Sequence, residues 1–481
     1  VVSFYIKTYG CQANVADTEG LARYLLELSC QQVSTAESAD LILINTCAIR
    51  DKAEQKLYSY IGQLAAQKKI KPYLKIGILG CVASYRKKEI YQSFDHISFV
   101  YGAREEHSVL QGYLADAIEK INTLKMQYEQ DPFCDIRSKN KQDRDIKKIS
   151  DRRSLSNVLR FPASLNISEF NLKKHLTDGL GSFTKKHDEI KRSFINIMTG
   201  CNKYCSYCIV PFTRGREISY NMHEIVTAVT KDVAMGSREV TLIGQNVNSY
   251  IDPTTGDRFP ELLACIAQLP GNFWIRFMSP HPQDMTRDLF DVMVAYRPKI
   301  TAAIHFPVQS GSDKILQAMN RNYTIAEYKE KIGWIRTMLP GATISTDIIV
   351  GFPGETEAEF LETMQLIEHV RFDLIYSFIY SSRRHTRASS MVDDCPAAEK
   401  TRRLDFLQKR QIEIAATLNS SLIGNKIKVL VEKRLAHGKL LSRTEGNIRV
   451  ILDGSDDLIG QFVDVQIESA GPANMKAVHV V

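Results

Sequence analysis

Residues 194–215 read FINIMTGCNKYCSYCIVPFTRG, an apolar strand pattern that runs into a loop carrying Cys201, Cys205 and Cys208. Three thiols are one short of the four ligands that close a structural zinc site. The histidines nearest in sequence, His187 and His223, do not adjoin the loop. A metal centre held here is therefore left coordinatively open. Each iron of a 4Fe–4S cube takes one outside ligand, usually a thiolate, so a three-cysteine loop holds the cube and leaves one iron for a substrate or cofactor. A zinc loop with a remote fourth ligand is the competing reading.

Downstream, strand patterns at 194–198, 239–244, 274–278, 302–306, 343–350 and 374–380 alternate with helical stretches such as MHEIVTAVTKDVAMG and AEFLETMQLIEHV. Six βα units point to an incomplete parallel barrel, with the cysteine loop at the C-terminal edge of its first strand. A connecting helix, KTRRLDFLQKRQIEIAATLNSSLIG, then leads to short strands with Gly, Asp and Asn turns. These read as a small β-barrel.

Upstream, FYIKTYGC, LILINTC and LKIGILGC each read as a strand ending in a cysteine: Cys11, Cys47 and Cys81. Intervals of 36 and 34 residues, filled by helical patterns such as DKAEQKLYSYIGQLAAQ, match successive βα repeats. Parallel strands joined by right-handed crossovers end on one edge. The three thiols are thus expected to meet in the crevice beyond the strand ends. A single buried cysteine reads as a small hydrophobe, whereas three at equivalent strand ends read as a second ligand set. Cys30, Cys134, Cys265 and Cys395 carry no such pattern.

The expected organisation is multidomain α/β. A parallel α/β domain spans 1–118, a basic linker 119–192, the partial six-unit barrel 193–418 and the small β-barrel 419–481. Within 134–192 there are 15 Lys/Arg against 8 Asp/Glu, an excess of +7 that equals that of the whole 481-residue chain. Few apolar residues accompany them, as in a solvated linker. No run approaches a membrane span and no signal-peptide layout opens the chain, so a soluble, cytoplasmic protein is expected. The start on Val1 rather than Met leads us to expect a few residues ahead of it. Ten cysteines in such a protein argue for metal or catalysis before disulfides.

The C-x3-C-x2-C spacing with Tyr207 before the third cysteine resembles the signature of radical S-adenosylmethionine (SAM) enzymes. TYGCQANVADTE, INTCAIRDKAEQK, ILGCVA, LIGQNVNSY, FPVQSGSDKILQAMNRNYT and TISTDIIVGFPGETEAEF extend the resemblance to the methylthiotransferases, and within them to the MiaB-type tRNA enzymes. That resemblance implies two 4Fe–4S clusters, the radical cluster on Cys201, Cys205 and Cys208 and an auxiliary one on Cys11, Cys47 and Cys81. It implies S-adenosylmethionine as methyl donor and radical source, and a C-terminal TRAM module that binds RNA. The implied reaction places a methylthio group at C2 of N6-isopentenyladenosine beside the anticodon. Partners would be tRNA and an electron donor such as flavodoxin or ferredoxin, with the sulfur source open and a monomeric protein expected.

Gln12 and Asn14 fit this branch better than those acting on threonylcarbamoyladenosine or on a ribosomal-protein aspartate, which remain alternatives. A non-catalytic iron–sulfur RNA-binding redox sensor is the alternative of another class. For S-adenosylmethionine the resemblance points to Tyr207, Gln245, Asn246, Asp347, Ile349 and Gly351, against ordinary strand-end packing. For phosphates, Arg383, Arg384, Arg387, Arg402, Arg403, Lys426, Lys428, Lys433 and Arg434 are candidates as a set. Two departures from the family pattern, YSSRRHTRASSM and Asn322 in MNRNYT, leave substrate contacts open.

Overall fold

The computed structural model describes residues 1–48, 51–130, 180–181, 190 and 192–480. They fall into two compact units, Val1–Leu180 with Ile209–Gly215, and Gly181–Cys208 with Arg216–Val481. The basic 134–192 stretch lies outside the described residues except at 180–181, 190 and 192, and so does Cys134.

In the first unit the elements are β1 (Ser3–Tyr9), α1 (Gln12–Glu27), β2 (Gln31–Gln32), β3 (Leu41–Thr46), α2 (Asp51–Ile70), β4 (Lys75–Gly80), α3 (Cys81–Ser93), β5 (Phe99–Gly102) and α4 (His107–Gln130). All pairings are parallel and the strand order is β2-β1-β3-β4-β5. Every residue of β3 and β4 is buried, which is why LILINT and KIGILG read as unbroken runs: both sheet faces are covered. Ile42, Ile44, Ile76 and Ile78 pack on Leu57, Ile61 and Leu64 of α2. Leu41, Leu43 and Leu79 meet Leu21 and Leu25 of α1 and Leu114 of α4 on the other face. The short helix Val210–Thr213 belongs to this unit, with Ile209 in the first of these cores.

In the second unit the strands Arg192–Asn196, Glu239–Ile243 and Trp274–Phe277 pair in parallel, as do Ala303–His305, Thr343–Val350 and Leu374–Ile379. A parallel bridge from Ile275 to Ile300 joins the two groups. The first strand ends two residues earlier than its apolar pattern predicts. Met198 and Thr199 leave the sheet to pair with Ile218 and Ser219, and this antiparallel clasp brackets the cysteine loop.

Helix Ala397–Ser420 leads into a closed barrel of Lys426–Arg434, Lys439–Thr444, Arg449–Asp453, Phe462–Ala470 and Met475–His479. Buried charges join this barrel to the βα layer. Glu239, at the start of its strand, takes Arg276 Nε at 2.7 Å and Arg443 Nη2 at 3.2 Å. Glu432 pairs with Arg443 and Arg192, and the Trp274 ring meets Phe462 edge-on at 4.9 Å. The C-terminal barrel thus seals the N-terminal strand ends, opposite the cysteine loop. Among the described residues no helix is long and apolar enough to cross a membrane.

Candidate iron–sulfur and nucleic-acid sites

Strand order β2-β1-β3-β4-β5 reverses direction between β1 and β3, and the crevice beyond such a switch point is where open parallel sheets take ligands. Cys11 follows β1 there as the N-cap of α1. Cys47 follows β3, its backbone N–H donating to Tyr9 O at 2.8 Å. Cys81, the first residue of α3, follows β4 one strand further on. The helix N-terminus favours the thiolate at Cys11.

Buried amides hold this edge. Asn14 Nδ2 donates to Asn45 Oδ1 at 3.0 Å, Asn45 Nδ2 returns to Asn14 O at 3.0 Å, and Cys11 Sγ lies 3.4 Å from Asn14 Oδ1. The thiol of Cys47 beside it draws the Cys11 thiol down to about 6 against its burial, with the Arg214 guanidinium adding to the pull. Arg214 donates to Asp17 Oδ2 at 2.7 Å and interacts electrostatically with both Cys11 and Cys81.

Gly80 is required at this edge. Its φ is +92°, and a Cβ there would lie 2.3 Å from Asn45 Oδ1 and 2.6 Å from the Thr46 carbonyl oxygen. Gly80→Ala is expected to cost about 3 kcal/mol in strain and to lower the iron held by the scattered triad. Gly62→Ala, where a Cβ meets nothing within 4 Å, is the control and should be neutral or stabilising. Denaturation midpoints and iron analysis of the two variants check this.

The second loop is braced from several sides. Gln245 Oε1 accepts the Gly200 N–H at 2.7 Å, and Glu217 Oε1 accepts that of Asn202 at 3.0 Å. Asn246 is buried, its Nδ2 donating to Asp284 Oδ2 at 2.8 Å, while Lys203 Nζ reaches Asp284 Oδ1 at 2.7 Å. Burial raises the Cys201 thiol to about 12. Cys205 is buried and receives Arg321 Nη1 at 3.5 Å.

Among the residues expected near S-adenosylmethionine, Tyr207 and Ile349 pack on one apolar cluster of Ile315, Met319, Phe352, Tyr380 and Ala388. Gln245 and Asn246 brace the loop through the bonds above. Asp347 Oδ2 lies 3.4 Å from His305 Nε2. Gly351, at φ +67°, donates its N–H to Glu355 at 2.6 Å and lies against the Lys400 side chain. The divergent YSSRRHTRASSM segment is tied to the loop through Ala388 N–H and Ser206 O at 2.8 Å.

Among the described residues no three His, Cys, Asp or Glu side chains converge on one bare ion. Thiolates are the usual outside ligands of a 4Fe–4S cube, one to each iron, and each set supplies three thiols. At the first loop two thiols interact directly and Gly10 leaves room that a Cβ, 2.8 Å from Cys47 Cβ, would fill. At the second a buried cation points at Cys205.

Of the phosphate candidates, Arg403 is excluded. It is 4% exposed and bound to Glu355 at 2.9 Å and Glu399 at 2.8 Å, so it is a buried bracket and not a surface charge. Arg402 is exposed but pairs with Glu357 at 2.6 Å and Glu399 at 2.7 Å. Lys428 pairs with Asp464 at 3.1 Å and Arg434 with Asp456. Lys426 is exposed, and half-buried Lys433 lines a cavity of about 260 Å³ with Arg192, Arg443 and Arg449. Arg384 and Arg387 are exposed and Arg383 is half-buried. Sequence reasoning missed Arg214, Arg321, Asn45 and Glu217. Arg214 and Arg321 stand inside quoted motifs, but nothing local marks either as facing a thiol.

Three family models match the chain: the uncharacterised protein family UPF0004 over residues 3–102, the radical SAM superfamily over 195–367 and the TRAM domain over 420–477. The tRNA-2-methylthio-N(6)-dimethylallyladenosine synthase of Chlorobium luteolum is 37% identical over 98% of this chain and 96% of its own. That of Escherichia coli O139:H28 is 37% identical over 98% and 91%. The radical S-adenosylmethionine methyltransferase TsrM from Kitasatospora setae, solved with cobalamin and a [4Fe-4S] cluster, shares the fold. Its TM-score is 0.53 at 11% identity, over 80% of this chain and 77% of that one. Identity of this level along nearly the whole length establishes that the chain belongs to the tRNA-2-methylthio-N(6)-dimethylallyladenosine synthase family of radical SAM methylthiotransferases.

Proposed function

We propose that this chain converts N6-isopentenyladenosine beside the anticodon of tRNA to its 2-methylthio form, with one 4Fe–4S cluster on Cys201, Cys205 and Cys208 and a second on Cys11, Cys47 and Cys81. The observation that carries the reading is the pair of three-thiol sets, each at the C-terminal edge of a parallel sheet. When bound, the clusters and S-adenosylmethionine supply the one-electron chemistry, the methyl group and the sulfur.

The protein's own residues place and shield these groups. Asn14, Asn45 and Gly80 fix the strand ends that carry the auxiliary thiols, and Arg214 balances their negative charge. Gln245, Glu217 and the Met198–Ser219 clasp fix the other loop. Tyr207 and Ile349 present an apolar wall suited to an adenine ring, while Asn246 and Gly351 follow the ends of two strands and Asp347 lies within Thr343–Val350. Phosphate contacts fall to the set Arg402, Lys426, Lys428, Lys433 and Arg434, where an RNA phosphate competes with exposed carboxylate partners. Such binding weakens with salt. Arg383, Arg384 and Arg387 stand in the divergent segment tied to the Cys201–Cys208 loop. Modules divide near residues 118, 192 and 418, and the protein works as a cytoplasmic monomer fed by a flavodoxin- or ferredoxin-type donor.

The test is anaerobic incubation of reconstituted, dithionite-reduced protein with S-adenosylmethionine and tRNA bearing isopentenyladenosine, followed by nucleoside mass spectrometry. A 2-methylthio product on this tRNA is expected. Product only on threonylcarbamoyladenosine tRNA or on a protein aspartate would move the chain to another branch. Clusters and RNA affinity without cleavage of S-adenosylmethionine would make it a redox sensor.

A further inference from the structure

Among the described residues, three guanidinium groups withdrawn from solvent pair with carboxylates. Arg214 has Asp17 at 2.7 Å, Arg276 has Glu239 at 2.7 Å and Arg403 has Glu355 at 2.9 Å. Arg321, only 6% exposed, has none. Its Nε donates to Tyr323 Oη at 3.0 Å, its Nη2 to Pro307 O at 2.7 Å and its Nη1 to Cys205 Sγ at 3.5 Å. Removing a cation from water without a counter-anion carries a large desolvation penalty. Neutral oxygens and a tyrosine ring recover only part of that.

Its aromatic neighbours supply no negative charge. His281 is buried with its ring edge-on to Tyr323 at 5.8 Å, and Nε2 has no partner; burial and the nearby Arg321 charge keep it neutral. Burial likewise keeps Tyr323 protonated. The group in contact that becomes anionic is Cys205, which is a thiolate whenever it ligates iron.

We infer that Arg321 is the built-in counter-charge of the Cys201–Cys205–Cys208 cluster, and that through its contact with Cys205 it raises the reduction potential of that cluster relative to the same site without the charge. The inference rests on the reading of this loop as a cluster site. Reduction adds one electron and therefore one negative charge to a centre that is already anionic with three thiolates. A fixed cation and an N–H···S bond stabilise the reduced form more than the oxidised one. No bond to the protein is made or broken; the electron comes from an external donor, dithionite in the experiment below, which is oxidised to sulfite. Arg321 is thus a positioning and tuning residue, held by Tyr323 and Pro307 so that one nitrogen faces the sulfur.

The test is an electron paramagnetic resonance redox titration of reconstituted full-length protein. The cluster in question is identified as the one whose signal changes when S-adenosylmethionine is added. For Arg321→Gln, the reduced-to-oxidised ratio at a fixed solution potential is expected to fall about tenfold, a downward shift of about 59 mV for a one-electron couple. Arg321→Lys, which keeps the charge, should hold its iron and stay close to wild type. An Arg321→Gln protein with full iron and an unchanged ratio overturns the inference. If Arg321→Gln fails to assemble, Arg321→Lys decides: retention of iron and ratio supports the counter-charge, and loss of either overturns it. Wild-type protein with no signal responsive to S-adenosylmethionine would withdraw the cluster reading itself, and this inference with it.

Discussion

Replacing Cys11, Cys47 and Cys81 together with alanine is expected to halve the iron of the reconstituted protein, from about eight atoms to about four given two four-iron cubes. Formation of 2-methylthio product should drop to background while S-adenosylmethionine is still cleaved. The two losses separate because the thiol sets belong to different sheets. Cys11, Cys47 and Cys81 end strands of the first unit, whereas the Cys201–Cys208 loop is clasped by Met198, Thr199, Ile218 and Ser219 of the second. Removal of three buried or half-buried thiols also costs some packing, so a melting curve belongs beside the iron analysis. A triple variant that keeps all its iron would overturn the assignment of the scattered triad.

Truncation after Ser420 is expected to do more than weaken tRNA binding. It removes Arg443, Glu432 and the Thr444 and Glu445 carbonyls from a buried charge network, leaving Glu239 and Arg276 at an opened strand edge. Burial would raise the Glu239 carboxyl, yet Arg276, Arg443 and Arg192 hold it at about 2. Stripping partners from such a group costs about 3–5 kcal/mol, so the truncated protein should melt roughly 10 °C lower. The sign with pH follows from the depressed value. The contribution of Glu239 is fully present above the ordinary carboxylate range near 4.3 and is lost only as pH falls toward about 2. The full-length and truncated melting difference should therefore persist at neutral pH and shrink in strong acid. Equal melting temperatures at neutral pH would show that the seam contributes little.

The placement of Cys11, Cys47 and Cys81 after parallel strands was legible in the sequence because each follows an apolar strand pattern, and parallel topology brings such ends to one edge without side-chain detail. The charges were not legible. Glu239, Arg276 and Arg443 are far apart in the chain, and each alone reads as a surface residue. Arg403 has the same defect: its spacing from Glu399 suits an exposed helical pair, and only the tertiary position of Glu355 buries it. Arg321 lies beside Asn322, the position that stood out as a departure, and its approach to Cys205 follows from the chain reversal at Asn320, where φ is +57°. Met198 shows the limit at the residue level: an apolar pattern continues through it while the backbone has left the sheet.

The segment Ile209–Gly215 follows the third cysteine of the radical loop yet belongs to the N-terminal unit, where Ile209 enters the core and Arg214 meets Asp17. That unit is accordingly not one uninterrupted stretch of polypeptide. A gene fragment that stops in the 134–192 region encodes a sheet lacking a core side chain and the cation beside two of its thiols, so fragments cut there are poor building blocks for chimaeras or for shuffling between branches of the family. Exchanges that respect the architecture must carry both pieces at once, which ties inheritance of the N-terminal fold to that of the three-cysteine loop.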